Sequence, residues 1–220
     1  MSNLMLYRLP ILILTTGIVY IFISPSEPLA FSIFFKVIPM VLILIYAFEQ
    51  SLPKRKAVHY WIIGGIIFCL IGDATLHWFL IGLTAFFVGH VFYTIGFLKE
   101  WRFSLPRFLS SIPLILFACW IGYQLISRLQ TDGETTLIIP VIAYIGIITL
   151  MTFTAVMTGN RWAVLGSILF IISDSMLAWN MFISSFAAAN EVIMLTYYSA
   201  QFLIAHSLFT IDSKHKGVAW

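Results

Sequence analysis

Charge is what this sequence has least of. Asp, Glu, Lys and Arg together make 10% of its 220 residues, against about 25% in a soluble domain, so a conventional solvated surface is excluded. Cysteine is nearly absent. Cys69 and Cys119 both fall inside apolar segments, which excludes a disulfide framework and reads as two small buried side chains. Ten-residue segments of alternating hydrophobicity are lacking, and with them a transmembrane β-barrel. There is no H-E-x-x-H, no G-x-S-x-G, no P-loop and no glycine-rich dinucleotide turn, so the commonest hydrolase and cofactor mechanisms lack their residues. The basic loops are too short and sparse for nucleic acid, and contact with anionic inner-leaflet lipid accounts for them.

What the chain has instead is apolar length. Apolar side chains make 61% of it and aromatic ones 16%, with a mean hydropathy of +1.00. Runs of about 18 to 22 apolar residues recur, enough for a helix to cross roughly 30 Å of hydrocarbon. The expected fold is an all-α polytopic membrane bundle forming one domain over 1–220. Eight spans are predicted, over 8–24, 31–49, 57–78, 79–98, 107–127, 136–157, 161–182 and 191–210. The first is read as a retained helix, because Pro28 stands where a signal-peptide cleavage site needs a small residue. Arg8, Lys54, Arg55, Lys56, Lys99, Arg102, Arg107, Arg161, Lys214 and Lys216 fall on one side of such a bundle and Arg128 on the other, so both termini are expected in the cytoplasm.

Against this background the stretch "IGDATLHW" at 71–78 stands out, because it sets an aspartate in a predicted span. Shifted by 101 positions, "GIIFCLIGDATLHW" (65–78) lies over "GSILFIISDSMLAW" (166–179), matching Gly65 with Gly166, Asp73 with Asp174, Leu76 with Leu177 and Trp78 with Trp179. The same shift carries Ile38 and Pro39 onto Ile139 and Pro140. An offset of four spans predicts a 4+4 parallel repeat, 1–106 and 107–220, about an axis along the membrane normal.

The few polar residues share a layer. At 1.5 Å per residue, Asp73 and Asp174 lie roughly 7 to 13 Å below the outer surface, and Lys36, His90, Tyr198 and Gln201 roughly 8 to 16 Å. A lone intramembrane Asp is adequately explained by a hydrogen bond to a neighbouring helix or by an ion pair with Lys36. Two in one layer favour a shared chemical role, because paired carboxylates in a low-dielectric pocket split their titration and can act as acid and base. Lys36 either snorkels outward, holds one Asp ionised, or binds a lipid phosphate. His90, Tyr93 and Phe97 share one helix face, and Tyr198 and Gln201 another; His90 is a candidate proton carrier. Trp78 and Trp179 read as interfacial anchors. Asp73 and His77 at i, i+4 raise a metal site, but His206 lies some 20 Å from the level of His77, far outside zinc ligand distances, and no metal is expected.

Taken together, "IGDATLHW", "GLTAFFVGHVFYTIGFL", "GSILFIISDSMLA" and "TYYSAQFLIAHSL" resemble the lysoplasmalogenase family of polytopic membrane proteins, the YhhN-like proteins. Lys36 through Pro39 fits the family pattern with Val37 and Ile38 between them. The resemblance implies hydrolysis of the vinyl ether bond of a lysoplasmalogen, a lysophospholipid, to a fatty aldehyde and a glycerophospho-ethanolamine or -choline, with no cofactor. In that chemistry Asp73 and Asp174 would be the catalytic pair, one protonating the alkenyl carbon and the other stabilising the cation and directing water. His90, Tyr93, Tyr198 and Gln201 would orient them, Lys36 would meet the headgroup phosphate, and the alkyl chain would lie between helices.

Other readings fit the same residues. A proton-coupled transporter also uses intramembrane Asp and His on a repeat. A different lipid or peptide hydrolase, or a scaffold without catalysis, is separated from a lysoplasmalogenase by its products. Tightly spaced spans with minimal loops suit a bacterial inner membrane, and the same chain could sit in an intracellular eukaryotic membrane.

Overall fold

The computed structural model describes residues 3–25, 27–51 and 56–211, with side chains from residue 8 onward. Lys54, Arg55, Lys214, His215 and Lys216 lie outside the described residues, as do both chain ends, so a large part of the orientation argument falls there.

The described residues are all-helical. The elements are α1 (Asn3–Phe22), α2 (Leu29–Ser51), α3 (Ala57–Thr75), α4 (Phe79–Leu98), a short α5 (Leu105–Leu109), α6 (Ser111–Thr131), a 3-10 turn (Thr135–Leu137), α7 (Ile138–Thr158), α8 (Arg161–Phe182) and α9 (Ala189–Ser207). Local sequence sets their ends. Gly159, at φ +69°, stops α7 in the left-handed region that glycine tolerates. Asn160 then caps α8, its Oδ1 accepting from the backbone N–H groups of Trp162 at 3.0 Å and Ala163 at 3.2 Å. The span expected over 107–127 divides at its start, where Pro106 opens α5 and Ser110 separates it from α6.

Six stretches are long and apolar enough to cross a membrane: α2, α3, α4, α5 with α6, the 3-10 turn with α7, and α8. The side-chain-described part of α1 is a shorter apolar helix, Arg8–Phe22. The outer surface agrees with a hydrocarbon solvent. Ile139 is 78% exposed and Phe22 69%, and exposed aliphatic and aromatic side chains run along most helices. The chain is an integral, multi-pass membrane protein. One expectation needs correction: Cys69 is buried but Cys119 is exposed. An apolar run has the same composition whether it faces lipid or protein, so burial of Cys119 did not follow from its place in a span.

Because lipid is as apolar as the helices, close packing and polar bonds rather than water exclusion must hold the bundle together. The tightest pairs are α3 with α4 and α8 with α9. A Cβ added at Gly65 would run into the Tyr93 ring, and one at Gly166 would lie 2.9 Å from the Ala200 carbonyl oxygen. Gly65 therefore makes room for the Tyr93 ring, and Gly166 lets the α8 and α9 backbones approach. In contrast α3 and α8, the helices that carry Asp73 and Asp174, do not pack on one another; α9 packs on both. Space is left between the two carboxylate helices.

Candidate active site

Asp73 lies two residues before the end of α3 and is 4% exposed. Its Oδ1 is 3.2 Å from Lys36 Nζ on α2, and its Oδ2 accepts the Tyr197 hydroxyl of α9 at 2.6 Å. The bonds continue from there. Gln201, one turn along α9 from Tyr197, donates from Nε2 to the Tyr197 hydroxyl at 3.4 Å. Tyr93 of α4 in turn donates to Gln201 Oε1 at 2.6 Å. A chain of donors thus runs from α4 through α9 to a carboxylate on α3, with a lysine of α2 on its other side. Such a network satisfies each buried polar group in turn.

Lys36 is placed for this. Its side chain is 14% exposed, so it is turned inward to Asp73 rather than snorkelling. Pro39 removes an N–H from this turn of α2, and the Lys36 carbonyl takes the Tyr198 hydroxyl at 2.8 Å.

Asp174 has a different environment. The Tyr144 hydroxyl of α7 donates to its Oδ2, and among the described residues no cation stands within ion-pair distance of it. Its neighbour Ser173 ties α8 to α9 through the Ile193 carbonyl at 2.9 Å. Asp73 and Asp174 nevertheless line one cavity, together with Lys36, Tyr20, Tyr197, Asn180 and Asn190. One carboxylate is countered by a cation and the other is not, across a shared space.

The residues expected at the site do not all touch its carboxylates. Lys36, Asp73, Tyr93 and Gln201 join one bonded network. Tyr198 donates instead to the Lys36 backbone carbonyl. His90 is fully buried; its Nδ1 bonds the Phe86 carbonyl at 2.7 Å, and among the described residues its Nε2 has no hydrogen-bond partner. The imidazole stands edge-on to Tyr144, with ring centres 5.3 Å apart, and to Phe170 at 4.7 Å. It therefore packs behind the Tyr144–Asp174 pair without bonding to either carboxylate.

Tyr197 and Tyr144 were not foreseen as site residues. Tyr197 was within reach of the pattern, since it lies four residues before Gln201 and so on its helix face; Tyr198 is about 100° further round. Tyr144 carried no such signal, being a single tyrosine in an apolar helix. Among the described residues no three His, Cys, Asp or Glu side chains converge as a metal-ligand set.

Comparison with known proteins gives a consistent picture. The profile of the YhhN family matches residues 31–208. A protein named Lysoplasmalogenase TMEM86B, from Rattus norvegicus, is 34% identical over 151 residues, which cover 67% of this chain and 61% of the relative. The chain thus matches less than two thirds of that relative's length. Its namesake from Mus musculus is 30% identical over 188 residues, 84% of this chain and 78% of the relative. The protein named Uncharacterized membrane protein YhhN, from Escherichia coli O157:H7, is 28% identical over 185 residues, 78% and 85% of the two chains. No solved structure matches.

Proposed function

This chain belongs to the YhhN family, and from that premise we propose that it is a lysoplasmalogenase, hydrolysing the vinyl ether bond of a membrane lysophospholipid by carboxylate acid–base catalysis. The observation that carries the reading is the pair of unlike carboxylates on one cavity: Asp73 held against Lys36 at 3.2 Å, and Asp174 bonded to the neutral Tyr144 hydroxyl. The buried Asp73, facing an ammonium group, keeps its charge, whereas the half-buried Asp174, without a counter-ion and set against an apolar wall, is cheaper protonated. The two groups thereby receive different tasks.

Asp174 gives its proton to the alkenyl carbon β to the ether oxygen, and the π electrons of the double bond form the new C–H bond. The adjacent carbon becomes part of an oxocarbenium ion, stabilised by the Asp73 carboxylate. Water adds to that carbon while Asp73 takes one of its protons, leaving a hemiacetal. On collapse, the hemiacetal hydroxyl returns a proton to Asp174 and the C–O bond to glycerol breaks. Asp73 then protonates the departing glycerol oxygen. One water is consumed, an aldehyde and a glycerophospho-alcohol are formed, and both carboxyl groups return to their starting states. Tyr197 fixes Asp73, with Gln201 and Tyr93 behind it; Tyr144 fixes Asp174, with His90 packed behind its ring.

The wider reading follows the same premise. Eight spans, with both termini in the cytoplasm and one domain over 1–220, would put the cavity in the outer half of a bacterial inner membrane. The matched glycines Gly65 and Gly166, each at the tight crossing of its own helix pair, support a duplicated four-helix unit. Nothing in the cavity or among the relatives favours a proton-coupled transporter.

The test is aldehyde release from a lysoplasmalogen by the purified protein in detergent, beside Asp73→Asn, Asp174→Asn and a chelator. Loss of about 10²–10⁴ in rate is expected in each variant, the range of a positioned acid or base, with no effect of the chelator. Activity retained in both folded variants would sink the carboxylate mechanism. Free fatty acid, a cleaved peptide or gradient-driven solute movement in place of aldehyde would each point to a different protein class.

A further inference from the structure

The polar cavity is not alone in reaching Asp174. A second pocket lies among α4, α6, α7 and α8, and its lining is aliphatic and aromatic apart from Tyr144, Thr149, Asp174 and Ser175. Asp174, Leu76, Phe86 and Leu177 belong to the walls of both cavities. Beyond Asp174, near the end of α8, Phe79 and Phe182 meet edge-on with ring centres 5.5 Å apart. The stacked rings of Trp120 and Trp179, 5.8 Å apart, bridge α6 and α8. α6 packs on α7 and α8, and α4 packs on α7, but α4 and α6 do not pack on each other. Phe79 and Leu83 of α4 and Ala118, Ile121 and Leu125 of α6 line this cavity from either side of that gap.

We propose that this second cavity takes the single hydrocarbon chain of the substrate, and that the gap between α4 and α6 is the lateral doorway through which the chain enters from the bilayer and the aldehyde returns to it. The proposal rests on the lysoplasmalogenase reading and adds to it where the chain lies. Moving an alkyl chain from lipid into an equally apolar chamber gains almost nothing in hydrophobic energy. The chamber therefore acts through shape, by fixing where the chain begins. With a polar headgroup in the cavity of Lys36, Asn180 and Asn190 and the chain in the apolar one, the bond joining them falls at the wall the cavities share. That wall carries Asp174. A lipid with one chain fills this arrangement, and a second chain would have to enter the polar cavity. The other apolar groove, between α1 and α9, is lined by neither carboxylate.

Two measurements test this on the full chain. In the first, wild-type protein is photolabelled with a saturated alkyl-ether lysophosphatidylethanolamine bearing a diazirine near the chain end. Label is expected on α4 and α6, around Leu83, Ala118 and Leu125; label confined to α1 and α9, around Leu14 and Leu195, overturns the assignment. In the second, Ala118→Trp narrows the gap, and aldehyde release from long-chain and short-chain lysoplasmalogens is compared within the same preparation. The long-to-short ratio is expected to fall about tenfold or more, the scale on which overfilling a packed apolar site is felt. The lipid-facing Ile139→Trp should keep the wild-type ratio. An unchanged ratio in Ala118→Trp, or an equal loss at all lengths in folded protein, also overturns it. If wild type releases no aldehyde at any chain length, the function is wrong, and the labelling still decides which cavity holds an alkyl chain.

Discussion

Replacing Lys36 by methionine keeps an unbranched side chain of similar reach and removes the ammonium group that stands 3.2 Å from Asp73. At that distance the attraction is about 5 kcal/mol for an effective dielectric constant of ~20. Leaving a buried carboxylate without its partner costs about 3–5 kcal/mol. Asp73 is only 4% exposed, so water in the cavity compensates the lost ammonium poorly, and the cheapest relief is to neutralise the carboxyl group. A neutral Asp73 neither stabilises an oxocarbenium ion nor accepts a proton from water. The loss should therefore appear in kcat, by about 10²–10³, as when one preorganised electrostatic group is removed from other active sites. KM should stay within about threefold, because the Lys36 ammonium is engaged by Asp73 and the other contacts to the headgroup and chain are left in place. Lys36→Arg, which keeps the charge, should recover part of the rate. The assay is aldehyde formation against substrate concentration, with kcat and KM resolved separately. A raised KM with kcat unchanged would make Lys36 a phosphate ligand, as one sequence expectation had it. No change in either would refute the ion-pair argument altogether.

Tyr197→Phe removes the 2.6 Å donor to Asp73, a charge-assisted bond of about 1.5–3 kcal/mol, and kcat/KM should drop about 10- to 100-fold. Tyr198→Phe removes only a bond to a backbone carbonyl and should cost less than about fivefold, the equivalent of one neutral hydrogen bond; equal losses would mean that the wrong face of α9 has been assigned. Gly166→Ala sets a Cβ 2.9 Å from the Ala200 carbonyl oxygen and should destabilise by about 1–3 kcal/mol, read as a lower thermal midpoint in detergent. Gly146→Ala meets nothing within 4 Å and should instead stabilise α7 by about 0.5–1 kcal/mol.

Much of this was legible in the sequence because a membrane imposes a strict rule on polar side chains. Asp73, His90 and Gln201 interrupt apolar runs, and a polar group in hydrocarbon has to turn inward; all three are buried. The long helices fall where apolar runs of spanning length predicted them, since the hydrogen-bonding demand of the backbone leaves little other choice. What could not be read was anything decided between helices. Lys36 at its depth fits snorkelling as well as burial, and only the position of α3 beside α2 turns it to Asp73. Tyr197 and Tyr198 are equivalent by composition, and the rotation of α9 decides which one meets the carboxylate. Tyr144 is linked to Asp174 by no spacing rule, because α7 and α8 meet across a connection whose geometry the pattern does not specify. Cys119 lies in an apolar run, but such a run does not say which of its faces meets lipid.

These same polar bonds also hold the bundle, which affects how the mechanism can be tested. Lys36, Asp73, Tyr197, Gln201 and Tyr93 link α2, α3, α9 and α4 through four contacts. α9 has the length of a span, but it is not among the helices apolar enough to cross unaided, because it carries the polar groups of the site. Its place between α2 and α8 therefore leans on the bonds those groups make. Removing Asp73 takes away the hub of that network, so lost activity there mixes catalysis with packing. Among the described residues Asp174 has one hydrogen-bonding side chain, Tyr144, and the close crossing of α8 with α9 rests on Gly166 rather than on it. An Asp174→Asn variant that keeps its thermal midpoint and loses its activity is thus the cleaner evidence that a carboxylic acid, and not merely an ordered bundle, cleaves the ether.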